Sequence, residues 1–226
     1  MNKKILITGA TGNLGQSVLK KLKTESFQIL ATVNSESGIE ELQRQGVAAA
    51  VLDLTSEQAV KDFIAASGSE IDAAVLLVGG FAMGGLKETD GESIRKMYSL
   101  NFETSYFIVK ELLPFFEAQG KGQFILIGAR PALKPEDGKN LVAYSLTKGL
   151  VFQLAEMINA QGKEHNIHAT VIVPSTIDTP RNRESMPDAD FSHWVSPEAI
   201  ADTIHFLLMD SGKQIRESVI KLYNRS

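Results

Sequence analysis

Seven short runs, mostly apolar and rich in β-branched residues, recur along the chain, and most are separated from the next by a longer amphipathic stretch. The runs are KILIT, QILATV, AAAVLDL, AAVLLV, QFILIG, HATVIV and SVIKLY. Between them lie helix-like segments from about Leu14 to Lys23, Ser37 to Gln45, Ser56 to Ala66, Asp90 to Ala118, Leu141 to Ala160 and Pro197 to Met209. Strands with little polar alternation are buried on both faces, and strands that alternate with helices cross over in parallel. The pattern predicts an α/β fold: a Rossmann-type doubly wound parallel sheet of about seven strands with helices on both faces. At 226 residues the chain is long enough for one full core and too short for two. No repeat, low-complexity segment or linker divides it, so residues 1–226 read as a single domain.

The formal charge of -4 comes with scattered Lys and Arg, which leaves no basic field for nucleic acid. Zero cysteines exclude disulfides and thiolate metal sites and fit a reducing compartment, so the expected location is cytoplasmic. No stretch approaches the roughly 18–20 apolar residues of a membrane span, and MNKK leads straight into a strand-like ILIT.

TGATGNLG, Thr8 to Gly15, follows the first strand and opens the first helix. Gly9, Gly12 and Gly15 permit a tight turn, close approach to a pyrophosphate and close helix packing, with the phosphate at the helix N-terminus. The end of the second strand ordinarily selects the dinucleotide, an acid for NAD and a base for NADP. Asn34, followed by Ser35, is neither, and the preference stays open between the two. Asp53 closes AAAVLDL where a strand end would meet an adenine edge; an equal reading makes it part of a helix N-terminal cap with Thr55 and Ser56.

Tyr144 and Lys148 stand four residues apart and share a helix face. A tyrosine titrates near pH 10, and an adjacent ammonium is expected to bring the phenol toward useful range. His165 and His168 have no carboxylate cluster beside them and predict no metal site.

In order and separation, TGATGNLG, Asn101 within YSLNFETSYFIVKELLPFF, YSLTK and VPSTIDTP resemble the short-chain dehydrogenase/reductase family over essentially the whole chain. The resemblance implies that Tyr144 is the acid, that Lys148 also holds the nicotinamide ribose, and that Asn101 holds a water connected to the lysine. It places NAD(P)H against Gly9, Thr11, Gly12, Asn13, Leu14, Gly15, Asn34, Asp53, Leu54, Gly79, Gly80, Lys148, Pro174, Ile177 and Thr179. It also implies a homodimer or homotetramer joined through the long helices that carry Asn101 and Tyr144.

Two departures matter. Ser175 replaces a glycine after Pro174, and QFILIGARPAL places Gly128 and Ala129 where family members acting on ketones or alcohols carry a serine. Losing that oxygen-binding hydroxyl costs a carbonyl reductase on the order of 10²-fold. GARPAL, YSLTKGLVFQLA and RNRESMPDADFSHW resemble the dihydropteridine reductase branch, which works with alanine there. The similarity implies hydride transfer to a conjugated C=N substrate such as a quinonoid dihydropteridine.

VGGFAMGG resembles that branch's nicotinamide-side loop, with Phe81 for the usual tryptophan. Phe81 either stacks on a flat ring or packs in the core at a strand end. Residues 175–194 show neither helical nor strand periodicity and are expected to form a substrate lid. Within it Arg181, Arg183, Asp188 and Asp190 read as a solvated loop, while Met186 and Trp194 either close over the substrate or, with His193, pack the loop down. Two rival readings remain, a reductase of another small carbonyl or imine compound and a non-catalytic dinucleotide-sensing protein.

Overall fold

The computed structural model describes residues 3–25, 27–212 and 214–225. In chain order the elements are β1 (Lys4–Thr8), α1 (Asn13–Thr24), β2 (Gln28–Val33), α2 (Glu36–Arg44), β3 (Ala48–Val51), α3 (Glu57–Ser67), β4 (Ala73–Leu76), α4 (Gly91–Tyr98) and α5 (Thr104–Gln119). There follow β5 (Gly122–Ile127), α6 (Arg130–Leu133), α7 (Pro135–Gly138), α8 (Val142–Gly162), β6 (Ile167–Pro174), α9 (Pro180–Ser185), α10 (Pro197–Leu208) and β7 (Val219–Leu222).

All seven strands pair in parallel in the order β3-β2-β1-β4-β5-β6-β7. The direction of winding reverses between β1 and β4, which opens a crevice at their carboxyl ends, the place where such sheets bind ligands. β4, β5 and β6 are buried along their whole length, which is why their sequences scarcely alternate. One core packs Leu42, Val18, Leu22, Ile200 and Ile204 of α1, α2 and α10 on one face. The other packs Val60, Ile108, Leu112, Val151 and Ala155 of α3, α5 and α8 on the opposite face.

Ser35, Ser56, Asp90, Thr179 and Ser196 cap the starts of α2, α3, α4, α9 and α10 with side-chain oxygens. α1 differs: Gly12 is its N-cap and supplies no side-chain acceptor, so its first N–H groups face the crevice mouth unclaimed by a side chain. Among the described residues no helix is long and apolar enough to cross a membrane.

Three expectations need correction. The single helix from Asp90 to Ala118 is instead α4, a π-helical turn over Ser99–Glu103, and α5. The apolar periodicity hides the extra residue of that wide turn. The short helices α6 and α7 were absent from the expected six because one turn shows no periodicity, although each begins on the proline signal for a first helical turn. Residues 175–194, expected to form a lid, are likewise not irregular throughout: they contain α9, started by Thr179 and Pro180, and a 3₁₀ turn at Phe191–His193.

His168 on β6 is buried, and neither ring nitrogen has a hydrogen-bond partner. Burial first, and then the positive charges of Arg216 and Lys3, push its imidazole from 6.5 down to about 4. The unfolded chain therefore takes up this proton first as pH falls, and the contribution is whole above about pH 6.5 and lost as pH drops toward 4. Between about pH 7 and pH 5 the unfolding free energy should fall by about 1–2 kcal/mol through this residue. His168→Gln should flatten that slope in denaturant melts, and an unchanged slope would exclude it.

Candidate active site

The site is assembled at the carboxyl edge of the sheet. At the β1–α1 turn, Gly9 takes φ +68°, a conformation costly for side-chain-bearing residues, and its carbonyl accepts from Gly12 N–H at 3.1 Å. A Cβ on Gly15 would stand 2.2 Å from Gly9 O and 2.7 Å from Ala10 C, so helix and turn approach as closely as backbone permits. Gly12 and Asn13 are exposed at the helix start, with Thr11 and Leu14 half-buried beside them. This bare, uncapped helix N-terminus fits the pyrophosphate of a dinucleotide.

Asn34 is exposed at the end of β2, and the neighbouring Ser35 and Ser37 hydroxyls lie 3.0 Å apart. Neither charge stands at the strand end. Asp53, exposed after β3, accepts from Thr55 N–H at 2.9 Å and Thr55 Oγ1 at 2.6 Å, and these bonds hold its carboxyl below the usual range. Ser56, not Asp53, caps α3. Leu54 is buried beneath them.

Asn101 lies in the π-helical turn and is buried. Its Oδ1 accepts from Gly80 N–H at 2.8 Å, and its Nδ2 donates to Thr147 Oγ1 at 3.2 Å. One amide thus joins the loop after β4 to α8, one residue before Lys148. Gly79 is in contact with both: a Cβ there would sit 2.9 Å from Asn101 Oδ1 and 3.1 Å from Lys148 Nζ. Any side chain at Gly79 would therefore displace the amide or the lysine.

Lys148 is buried, and its Nζ donates to the Ile127 carbonyl at 2.8 Å. Desolvation lowers it from 10.5 to about 8. Burial raises the Tyr144 phenol from 10.0 to about 12. The expectation that the neighbouring ammonium brings the phenol down is therefore corrected. In this structure desolvation governs both groups, and it acts in opposite directions on an acid that becomes charged and a cation that becomes neutral.

Phe81 is 58% exposed, which overturns the core-packing alternative. Its ring meets Tyr144 edge-on at 5.1 Å between centroids. At the end of β5, a side chain on Gly128 would strike Phe152 Cζ and Val171 Cγ1, both 2.7 Å away, while Ala129 is buried at the start of α6. The serine position therefore holds no hydroxyl.

Pro174 ends β6, and Ile177 forms an isolated bridge to Val195. Thr179 is buried and spends its Oγ1 accepting from Asn182 N–H. Ser175 Oγ, in place of the family glycine, donates to Tyr223 O at 3.0 Å. Met186 is 41% exposed on the lid, whereas Trp194 is 8% exposed and packs on Phe191, the loop-packing alternative. Arg183 is exposed, in keeping with the solvated-loop reading, and has definite partners. It forms a two-pronged ion pair with Asp178 at 2.6 and 2.7 Å and lies 4.6 Å over the Phe191 ring. Sequence reasoning named Arg183 without these partners and missed Thr147, although Arg183 falls five positions after an acid beside a proline-started helix.

Gly15→Ala is expected to destabilise the protein by at least about 2 kcal/mol and to weaken NADH or NADPH binding more than about tenfold. Thermal melts and titration of cofactor fluorescence check this, and an unaltered dissociation constant would contradict the placement.

A family model described as short chain dehydrogenase matches residues 3–190. The chain is 25% identical over 239 residues to YmfI of Bacillus subtilis (strain 168), an uncharacterized oxidoreductase, with 98% of each protein covered. It is 27% identical over 222 residues to the dihydropteridine reductase of Dictyostelium discoideum, covering 90% of this chain and 87% of that protein. In fold it is similar to an oxidoreductase of the short chain dehydrogenase/reductase family from Burkholderia thailandensis, with a TM-score of 0.87, 22% identity, and 98% and 91% of the two chains covered. The structure of ElxO with NADP bound has a TM-score of 0.88 at 20% identity, covering 98% and 97%. With more than half its length matched, the chain belongs to the short chain dehydrogenase family of nicotinamide-dependent oxidoreductases.

Proposed function

We propose that the protein reduces a small conjugated C=N compound with NADH or NADPH, most like a quinonoid dihydropteridine. The observation that carries this reading is the neighbour of Tyr144: a Phe81 ring at 5.1 Å, with Gly128 and Ala129 in place of a hydroxyl-bearing residue. A ketone reductase uses a second donor to hold the carbonyl oxygen; a flat heteroaromatic ring is held by an aromatic face. The resemblance to the dihydropteridine reductase of Dictyostelium discoideum supports the same substrate class.

When bound, the dinucleotide supplies the hydride. The chain's own residues supply position and proton. The α1 N-terminus and its glycine turn receive the pyrophosphate, and Ile177 and Thr179 border the nicotinamide side. Tyr144, held in its protonated form by burial, donates a proton to a ring nitrogen of the conjugated system, whose reduction takes up one hydride and one proton and relocates the ring double bonds, and the phenolate left behind recovers its proton from solvent. Lys148 keeps a positive charge beside this transfer while it stays protonated. The lid over residues 175–194 excludes water during the step. The uncharged Asn34 end of β2 favours neither dinucleotide. Exposed Tyr106, Leu146 and Met157 on α5 and α8 support association of two or four copies through those helices.

Oxidation of NADH or NADPH by quinonoid dihydropterin above the uncatalysed rate is the expected result, and its absence would sink the pterin reading. Ala129→Ser tests the rival substrate class: a gain in ketone reduction with pterin turnover intact would assign substrate choice to the missing hydroxyl. Tyr144→Phe should lower kcat by roughly 10²–10⁴-fold while leaving dinucleotide affinity within about twofold. Full biological function in that variant would favour a sensor. Because the protonated form of Lys148 is the active one and burial sets it near 8, kcat/KM should hold level below about pH 8 and fall above it. A pH–rate profile that rises through that range would contradict the assignment.

A further inference from the structure

The lid is fastened by a residue outside it. Asn224, just beyond β7, donates from its Nδ2 to Ser192 O at 3.0 Å and to Trp194 O at 2.8 Å. Its backbone takes φ 52°, a left-handed conformation that asparagine accepts more readily than most residues. The amide therefore spends both hydrogens on lid carbonyls while the backbone turns sharply to deliver it.

From this anchor a continuous set of contacts runs to the exposed part of the lid. Trp194 is buried, and its ring lies 4.7 Å from that of Phe191. Arg183 of α9 covers Phe191 and pairs with Asp178, and α9 leads directly into Met186. At the other end of the lid Ser175 is bound to the same segment, its N–H donating to Leu222 O at 2.9 Å and its Oγ to Tyr223 O at 3.0 Å. Both ends of the lid thus rest on residues 222–224 rather than on the glycine turn or the Asn101 joint.

We infer that Asn224 is a positioning residue for the substrate side of the site, setting the lid through Ser192 and Trp194 without touching the dinucleotide. The inference rests on residues 175–194 covering the substrate, as proposed above. It predicts a separation: loosening the anchor disturbs substrate engagement and leaves the cofactor half intact.

The single tryptophan of the chain is Trp194, so its fluorescence reports on this one place. Asn224→Gly keeps the left-handed turn and removes the amide, whereas Asn224→Ala removes the amide and also burdens the turn. In the full-length protein with NADPH or NADH bound, Asn224→Gly should raise acrylamide quenching of Trp194 about twofold. It should also raise KM for quinonoid dihydropterin about tenfold, as two lost hydrogen bonds would, with kcat and the dinucleotide dissociation constant within about twofold. Unchanged quenching and KM would overturn the inference. A fall in dinucleotide affinity in step with the loss in kcat/KM and melting temperature would also overturn it, by showing a general structural role. If the wild-type protein does not turn over dihydropterin, the proposed substrate fails. The anchor is then judged on quenching alone, where a rise with unaltered dinucleotide affinity upholds it and no rise refutes it.

Discussion

The Asn101 amide is the joint on which the site's geometry depends. Its two ends are spent inside the protein, on Gly80 N–H and on Thr147 Oγ1, so it fixes the distance between the loop after β4 and the helix that carries Tyr144 and Lys148. It is buried, and a buried amide stripped of either partner would bear the full cost of an unmet polar group, about 1–3 kcal/mol. That penalty makes the arrangement all-or-none. The π-helical turn is what allows it: a regular α-helix from Gly91 to Gln119 would place Asn101 about 100° further round the axis relative to the residues on one side of it. The wide turn thus falls at the residue whose amide joins the loop after β4 to α8.

The sheet was legible in the sequence because burial on both faces leaves an unambiguous mark. KILIT, QILATV and HATVIV stand in the structure within a residue or two of their expected limits. The glycine turn was equally legible, since Gly15 faces backbone at a distance no side chain survives. Features made by few residues were harder to read. α6, α7 and α9 are each too short to show a period, and only their prolines announce them. The π-helical turn left the apolar rhythm of YSLNFETSYF undisturbed and so left no trace.

Side-chain electrostatics were the least legible of all. The spacing of Tyr144 and Lys148 places them on one face, and it suggests an ammonium easing the ionisation of a phenol. The fold decides otherwise, because what surrounds the pair comes from β5, from the loop bearing Phe81 and from Gly79, none of it adjacent in sequence. Arg183 is a similar case. Its side chain faces solvent, as its charge suggests, but its partners Asp178 and Phe191 are assigned only by the fold.

The direction of these shifts bears on the cost of proton transfer. With the phenol near 12 and the ammonium near 8, both groups hold their protons at neutral pH. Both senses of the transfer pass through the phenolate, formed when the tyrosine donates and needed before it accepts, so the desolvation that raises the phenol makes either one costly. Reduction consumes a proton at the acceptor atom, and oxidation releases one there. Lys148, on the same helix face and cationic while it stays protonated, is the group placed to offset that cost. Ala129, just after β5, offers no hydroxyl to share that cost. Packing around the two residues, and not their spacing alone, decides how costly their proton transfers are.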